Sequence, residues 1–85
     1  MDQDSGLITI SGIVAPALWD KAYNVVAISI AASNEKEYLV EDDAMGEELM
    51  DQLRNLVQVT GIVREEKGGD RVIEVKNYEV LNQLF

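Results

Sequence analysis

The chain has no cysteine and no histidine among its 85 residues. Without cysteine there is neither a disulfide framework nor a thiolate metal site. Without histidine, the usual zinc ligand, the usual general base and any Ser/His or Cys/His nucleophilic pair are excluded. Proline occurs once, at Pro16, and tryptophan once, at Trp19. Bases are scarce: 7 Lys and Arg against 16 Asp and Glu give a formal charge of −9, a balance that disfavours contact with a phosphate backbone. No apolar run reaches the roughly 18 to 20 residues that cross a bilayer. Even Val25 to Ala32 is interrupted by Ser29. The start, Met1-Asp-Gln-Asp-Ser-Gly6, lacks the basic patch and apolar stretch of a secretory signal. A cytoplasmic protein is expected if Met1 is the natural start, and a periplasmic one if a signal peptide has been removed.

What the chain does have is a phrase that occurs twice, Ile8-Thr-Ile-Ser-Gly-Ile-Val14 and Val57-Gln-Val-Thr-Gly-Ile-Val63. Each copy alternates β-branched apolar with polar residues and meets a glycine at its fifth place. That pattern describes a half-buried strand bent at the glycine. Strand one is expected from Leu7 to Val14, ending at Ala15-Pro16 because proline removes a ladder donor. A loop with two aromatics, Trp19 and Tyr23, follows. Strand two, Val25 to Ala31, turns Val26, Ile28 and Ile30 inward and Ala27, Ser29 and Ala31 outward. Strand three, Glu37 to Glu41, carries Tyr38 and Val40 inward.

Asp42 or Asp43 can cap a helix whose apolar stripe is Met45, Leu49, Leu53 and Leu56, with Gly46 a mild defect in its first turn. The second copy of the phrase is strand four. Glu65-Glu66-Lys67-Gly68-Gly69-Asp70 is a hairpin loop, and Arg71 to Leu81 is strand five. Residues 1–6 are expected as a disordered tail, 7–81 as a single domain, and 82–85 as a C-terminal tail. The expected core is Ile8, Ile10, Val14, Val26, Ile28, Ile30, Tyr38, Val40, Val57, Val59, Val63, Ile73 and Val75, sealed at one end by the helix stripe.

The order strand, strand, strand, helix, strand, strand, with glycine-bent strands first and fourth, resembles the oligonucleotide/oligosaccharide-binding (OB) fold. The resemblance spans about residues 7–81. It rests on the Gly-Ile-Val strands at Gly12 and Gly61, on Glu37-Tyr-Leu-Val-Glu-Asp-Asp43 and on Arg71-Val-Ile-Glu-Val-Lys-Asn-Tyr78. Within that superfamily the chain looks like the small stand-alone bacterial OB-fold proteins of unassigned function. The resemblance implies an all-β, five-stranded Greek-key barrel with one helix between strands three and four. It also implies a ligand face on the outside of strands two and three, flanked by the loops after strands one and four.

On that face the chain offers Ala27, Ser29, Ala31, Glu37, Leu39 and Glu41, which lacks the aromatic and basic residues that single-strand binders use. A one-residue slip of strand three would instead turn Tyr38 outward. Trp19, Lys21 and Tyr23, with Arg64, Lys67 and Arg71 around the second loop, form a candidate ligand rim. The alternative for Trp19 is burial over a barrel end, and for the bases pairing with the interleaved Glu65, Glu66, Asp70 and Glu74. Glu37, Glu41, Asp42, Asp43, Glu47, Glu48 and Asp51 form a candidate acidic docking surface, and the same residues have a plainer role in solubility. Gly68-Gly69 has neither glycine-rich phosphate spacing and is a turn. Glu41-Asp42-Asp43 with Glu47 lacks calcium-loop spacing, and no metal, cofactor or catalytic residue is assigned.

The expectation is therefore a non-enzymatic, monomeric binding or adaptor domain that engages a protein partner, with a basic segment the best candidate. Weak single-stranded nucleic-acid binding and carbohydrate or small-ligand binding at the loop rim are the alternatives.

Overall fold

Alternation along the strands sorts the side chains into two sets. A computed structural model, which describes residues 7–82, places one set inside a closed sheet and the other outside. The strands are β1 (Leu7–Trp19), β2 (Val25–Ala32), β3 (Glu37–Val40), β4 (Leu56–Glu65) and β5 (Arg71–Asn82). A short helix, α1 (Ala44–Leu49), and a 3-10 turn over Met50–Gln52 lie between β3 and β4. The sheet closes in the order β1-β2-β3-β5-β4 because β1 pairs antiparallel with both β2 and β4. The β3–β5 join is parallel and consists of two residue pairs, Leu39 with Val72 and Val40 with Ile73. Of the expected tails, 1–6 and 82–85, residues 1–6 and 83–85 lie outside the described residues, and Asn82 belongs instead to the end of β5.

Inside the ring, Ile10, Val14, Ile28, Ile30, Tyr38, Val40, Val57, Val59, Ile73 and Val75 are buried, with Leu49 of α1 closing one end. Ile8, Val63, Met45 and Leu53 pack against them partly buried. Tyr38 points inward, 4% exposed, so strand three is not slipped. Val26 departs from the expected core: it is 46% exposed. The cause is that β3 covers only Ser29, Ile30 and Ala31 of β2, which leaves the start of β2 without a neighbour on that side.

Strand one does not end at Pro16. It continues to Trp19, and Pro16 itself pairs with Ile28 of β2. Hydrogen bonds from Ser33 N–H to the Ser11 carbonyl, and between Val14 and residues 54 and 55, show that odd residues of β1 face β2 and even ones face away. Pro16 is even. Its missing N–H falls on the side where β4 has already departed, so no ladder hydrogen bond is lost.

The helix is shorter than its apolar stripe suggests. Leu53 is extended, Arg54 has a φ of 73°, and Leu56 already belongs to β4. Arg54 N–H donates to the Val14 carbonyl at 2.8 Å and Val14 N–H to the Asn55 carbonyl at 3.2 Å. These bonds to β1 replace the helical ones and lead the chain into β4. Asp43 caps α1 through a 2.9 Å bond from Gly46 N–H. Gly46 is no defect: a β-carbon there would overlap the Glu41 carbonyl oxygen, so the close approach of α1 to the end of β3 requires glycine. Gly12 and Gly61 are constrained in the same way. A β-carbon on Gly12 would overlap the Ala31 carbonyl, and one on Gly61 the Glu74 carbonyl. Gly12, paired with Ala32 and Val57, and Ile13, paired with Ala31 and Leu56, are the two residues where β1 passes from one neighbour to the other.

Candidate functional site: the outer face of β2 and β3

The continuation of β1 past Pro16 builds a wall that the sequence did not suggest. Register shifts follow Pro16, and Leu18, opposite Ala27, is left 58% exposed beside the outer face of β2 and β3. Two adjoining depressions share Leu18 and Leu39. The larger, of about 460 Å³, is bounded by Ala17, Ser29, Glu37 and the Gly69-Asp70-Arg71 end of the β4–β5 loop. The other, of about 360 Å³, is bounded by Val26, Ala27, Val72, Glu41, Asp42, Arg64 and Glu66. The result is a groove with an apolar floor and charged rims. Of the face residues read from the sequence, Ala27, Ser29, Glu37, Leu39 and Glu41 line it, and Ala31 does not.

The expected rim is divided. Arg71 lines the larger depression and Arg64 the smaller, whereas Lys67 lines neither. Trp19, Lys21 and Tyr23 sit outside both. Trp19 does not bury itself over the end of the sheet. It is 54% exposed, and Tyr23 is 86% exposed. The β1–β2 loop directs its hydrogen bonds to Asp20 instead. One carboxylate oxygen accepts from Ala22 N–H at 2.8 Å and Asn24 N–H at 2.9 Å, while the backbone of Asp20 and Asn24 also pairs. The Asn24 backbone N–H, more than any other partner, holds the Asp20 carboxyl below its ordinary value. The loop is thus shaped by a polar clamp that leaves Tyr23 outside, while Trp19 is exposed at the end of β1.

Arg64 is already occupied. It donates to Glu66 at 2.7 Å and to Glu41 at 2.6 Å, tying the end of β4 to the exit of β3. Those bonds, Glu66's first, hold the guanidinium charged even more firmly than usual. Lys76 pairs with Glu74 at 3.1 Å. Arg64 and Lys76 thus do pair with interleaved acids, but with Glu66 and Glu74 two residues away along the chain and not across the hairpin as cross-strand pairing would have it.

The seven acids do not form one surface of equivalent groups. Glu37 accepts from Ser29, Glu41 from Arg64, Asp43 from the α1 backbone and Glu48 from the Tyr78 hydroxyl at 2.9 Å. The Glu48 bond is the main reason the Tyr78 hydroxyl keeps its proton above its ordinary pKa. Asp42, Glu47 and Asp51 are exposed and make no such bond among the described residues. No group of three or more metal-ligating side chains comes together among the described residues. Nor is any described helix long and apolar enough to cross a membrane.

Summed over the groove, Glu37, Glu41, Asp42, Glu66 and Asp70 oppose Arg64 and Arg71, five negative charges against two positive, a balance of −3. Compared with protein-family models, curated proteins and solved structures, the chain has no match.

Proposed function

We propose that the chain is a non-enzymatic binding module with a Greek-key barrel of the OB type, and that it holds an extended, basic protein segment across the outer face of β2 and β3. The sharing of β1 between β2 and β4, and the place of α1 between β3 and β4, support the first part. The observation that carries the second is the groove itself: an apolar floor of Leu18, Leu39 and Ala27 within rims whose charge sums to −3. Such a surface attracts and orients a cationic partner and repels a phosphate chain. Nucleic acid would also find no aromatic platform in the groove, and Arg64 is committed to two carboxylates.

The test is an amide chemical-shift titration of labelled protein at low salt. One arm uses a capped decapeptide that alternates lysine with valine, the other a mixed-sequence single-stranded DNA decamer. The peptide is expected to move the amides of Ser29, Leu39 and Arg71, and the DNA to leave them in place. DNA-induced shifts at those residues without peptide-induced ones would replace this reading with nucleic-acid binding.

A further inference from the structure

The larger depression has one polar wall that is built from the inside. Ser29 lies on the outward-facing set of β2, yet it is only 2% exposed. Its hydroxyl donates to Oε2 of Glu37 at 2.7 Å across the β2–β3 pair. A buried hydroxyl with a carboxylate as acceptor fixes that carboxylate in place. Oε1 of Glu37 accepts no hydrogen bond among the described residues, and Glu37 lines the cavity. Asp70 also lines the cavity, and its backbone is held by its own loop: its carbonyl accepts from Glu66 N–H at 2.8 Å, and Gly69 N–H donates to the Glu66 carbonyl at 3.0 Å. Ala17, Leu18 and Leu39 add apolar surface to the same lining.

We infer that this depression is a subsite for one basic side chain of the bound segment, a lysine or arginine whose charged head is received by Glu37. The inference rests on the reading of the groove as a protein-binding face. Long basic side chains have the two-part chemistry that the cavity has. An aliphatic stem lies along Leu18 and Leu39, and a cationic donor reaches a carboxylate beyond it.

Other occupants fit less well. An apolar side chain would strip water from Glu37 and return no donor to Oε1. An acidic or phosphorylated side chain would face Glu37 and Asp70 with only Arg71 in compensation. Arg71 in turn disfavours a second base immediately beside the first, so the subsite reads one cation, not a cationic run. Because Ser29 already holds Glu37 in position, little side-chain freedom is lost on binding.

The test uses four capped pentapeptides identical except at the central residue: lysine, acetyl-lysine, norleucine or glutamate. Affinities are read from amide shifts at low salt, on the parent protein, on Glu37→Gln and on Asp51→Asn. The amide oxygen introduced by Glu37→Gln can still accept from Ser29, and the melting curve of that variant checks that the sheet is intact. Asp51→Asn removes an equal charge at an exposed position that lines neither depression. The lysine peptide is expected to bind roughly fivefold or more tightly than its acetylated form, the size of a charge-assisted contact on a partly exposed surface. Glu37→Gln should erase that preference and Asp51→Asn should keep it.

Equal binding of lysine, acetyl-lysine and norleucine peptides, with groove amides still moving, overturns the subsite and leaves the groove reading standing. Equal losses in the two variants also overturn it, since the preference would then be a matter of overall charge. If no peptide moves the groove amides, both readings fail together.

Discussion

Three glycines occupy places where a neighbour's backbone leaves no room for a methyl group, and they differ in how strongly the sequence marks them. Gly12 and Gly61 are marked by the repeated phrase, because a glycine recurring at the same position of two alternating strands signals a bend or a close backbone approach. Gly46 is not marked. A propensity scale rates it as a flaw in a helix, worth about 1 kcal/mol if replaced by alanine, and contains no information on the Glu41 carbonyl facing it. The overlap is the larger effect, since forcing an extra carbon into filled space costs about 1 to 3 kcal/mol. Gly46→Ala is therefore expected to destabilise the protein in urea unfolding, as are Gly12→Val and Gly61→Val, each by about 2 kcal/mol or more. Gly68→Ala meets open space and should lose only about 1 kcal/mol, from its φ of 92°. If Gly46→Ala were as stable as the parent or more so, the close packing of α1 on β3 would be refuted.

Strands were legible as elements, and the ends of β2, β3, β4 and β5 lie within a residue or two of those the alternation and turn residues suggest, whereas the far end of β1 does not. Alternation placed Ile28, Ile30, Tyr38, Val57, Val59, Ile73 and Val75 inside, where they are. The end of β1 and the end of α1 are both set by partners in another element, which carry no local signal. Arg54 and Asn55 leave the helix to bond Val14 of β1, and β1 runs on past Pro16 because Pro16, Leu18 and Trp19 pair with Ile28, Ala27 and Val25 of β2. The β1–β2 loop shows the same limit. Trp19 could be read as a ligand-rim residue or as buried over one end, yet it stays exposed, and the loop's conformation is set by Asp20.

That clamp has a pH signature. The folded carboxyl of Asp20 lies below its ordinary 3.8, so its contribution to stability is fully present above about pH 4. It is lost as pH falls through the depressed folded value. Carboxyl shifts measured by NMR should give Asp20 a midpoint below 3.8, with the Ala22 and Asn24 amides changing in step. A midpoint at or above the ordinary value would mean the clamp does not hold in solution.

For the molecule as a whole, the amount of charge is legible in the sequence and the partner of each acid is not. The acids from Glu35 to Asp51 look like one ridge in sequence, but Glu37 and Glu41 belong to the groove, Asp43 to a helix cap and Glu48 to Tyr78. The groove itself was half visible: β2 and β3 supplied residues the alternation had turned outward, while Leu18 required a strand to survive a proline. A charge of −9 on 85 residues also repels itself. Raising sodium chloride from about 20 to about 200 mM, which shortens the screening length severalfold, should raise the melting temperature by a few degrees. A fall would mean that attractive pairs such as Arg64 with Glu41 and Glu66 outweigh that repulsion.

The same proline that failed to end β1 has a consequence for the company the protein keeps. Beyond Val14, whose backbone still bonds residues 54 and 55, β1 has no strand partner on its β4 side among the described residues, and a bare strand margin is where sheet proteins recruit one another into aggregates. At that margin Pro16 presents no N–H, and the register shifts before Leu18 and Trp19 break the regular row of donors and acceptors. An incoming strand would have nothing continuous to template on, so the stretch that shapes the groove is also protected from its own kind.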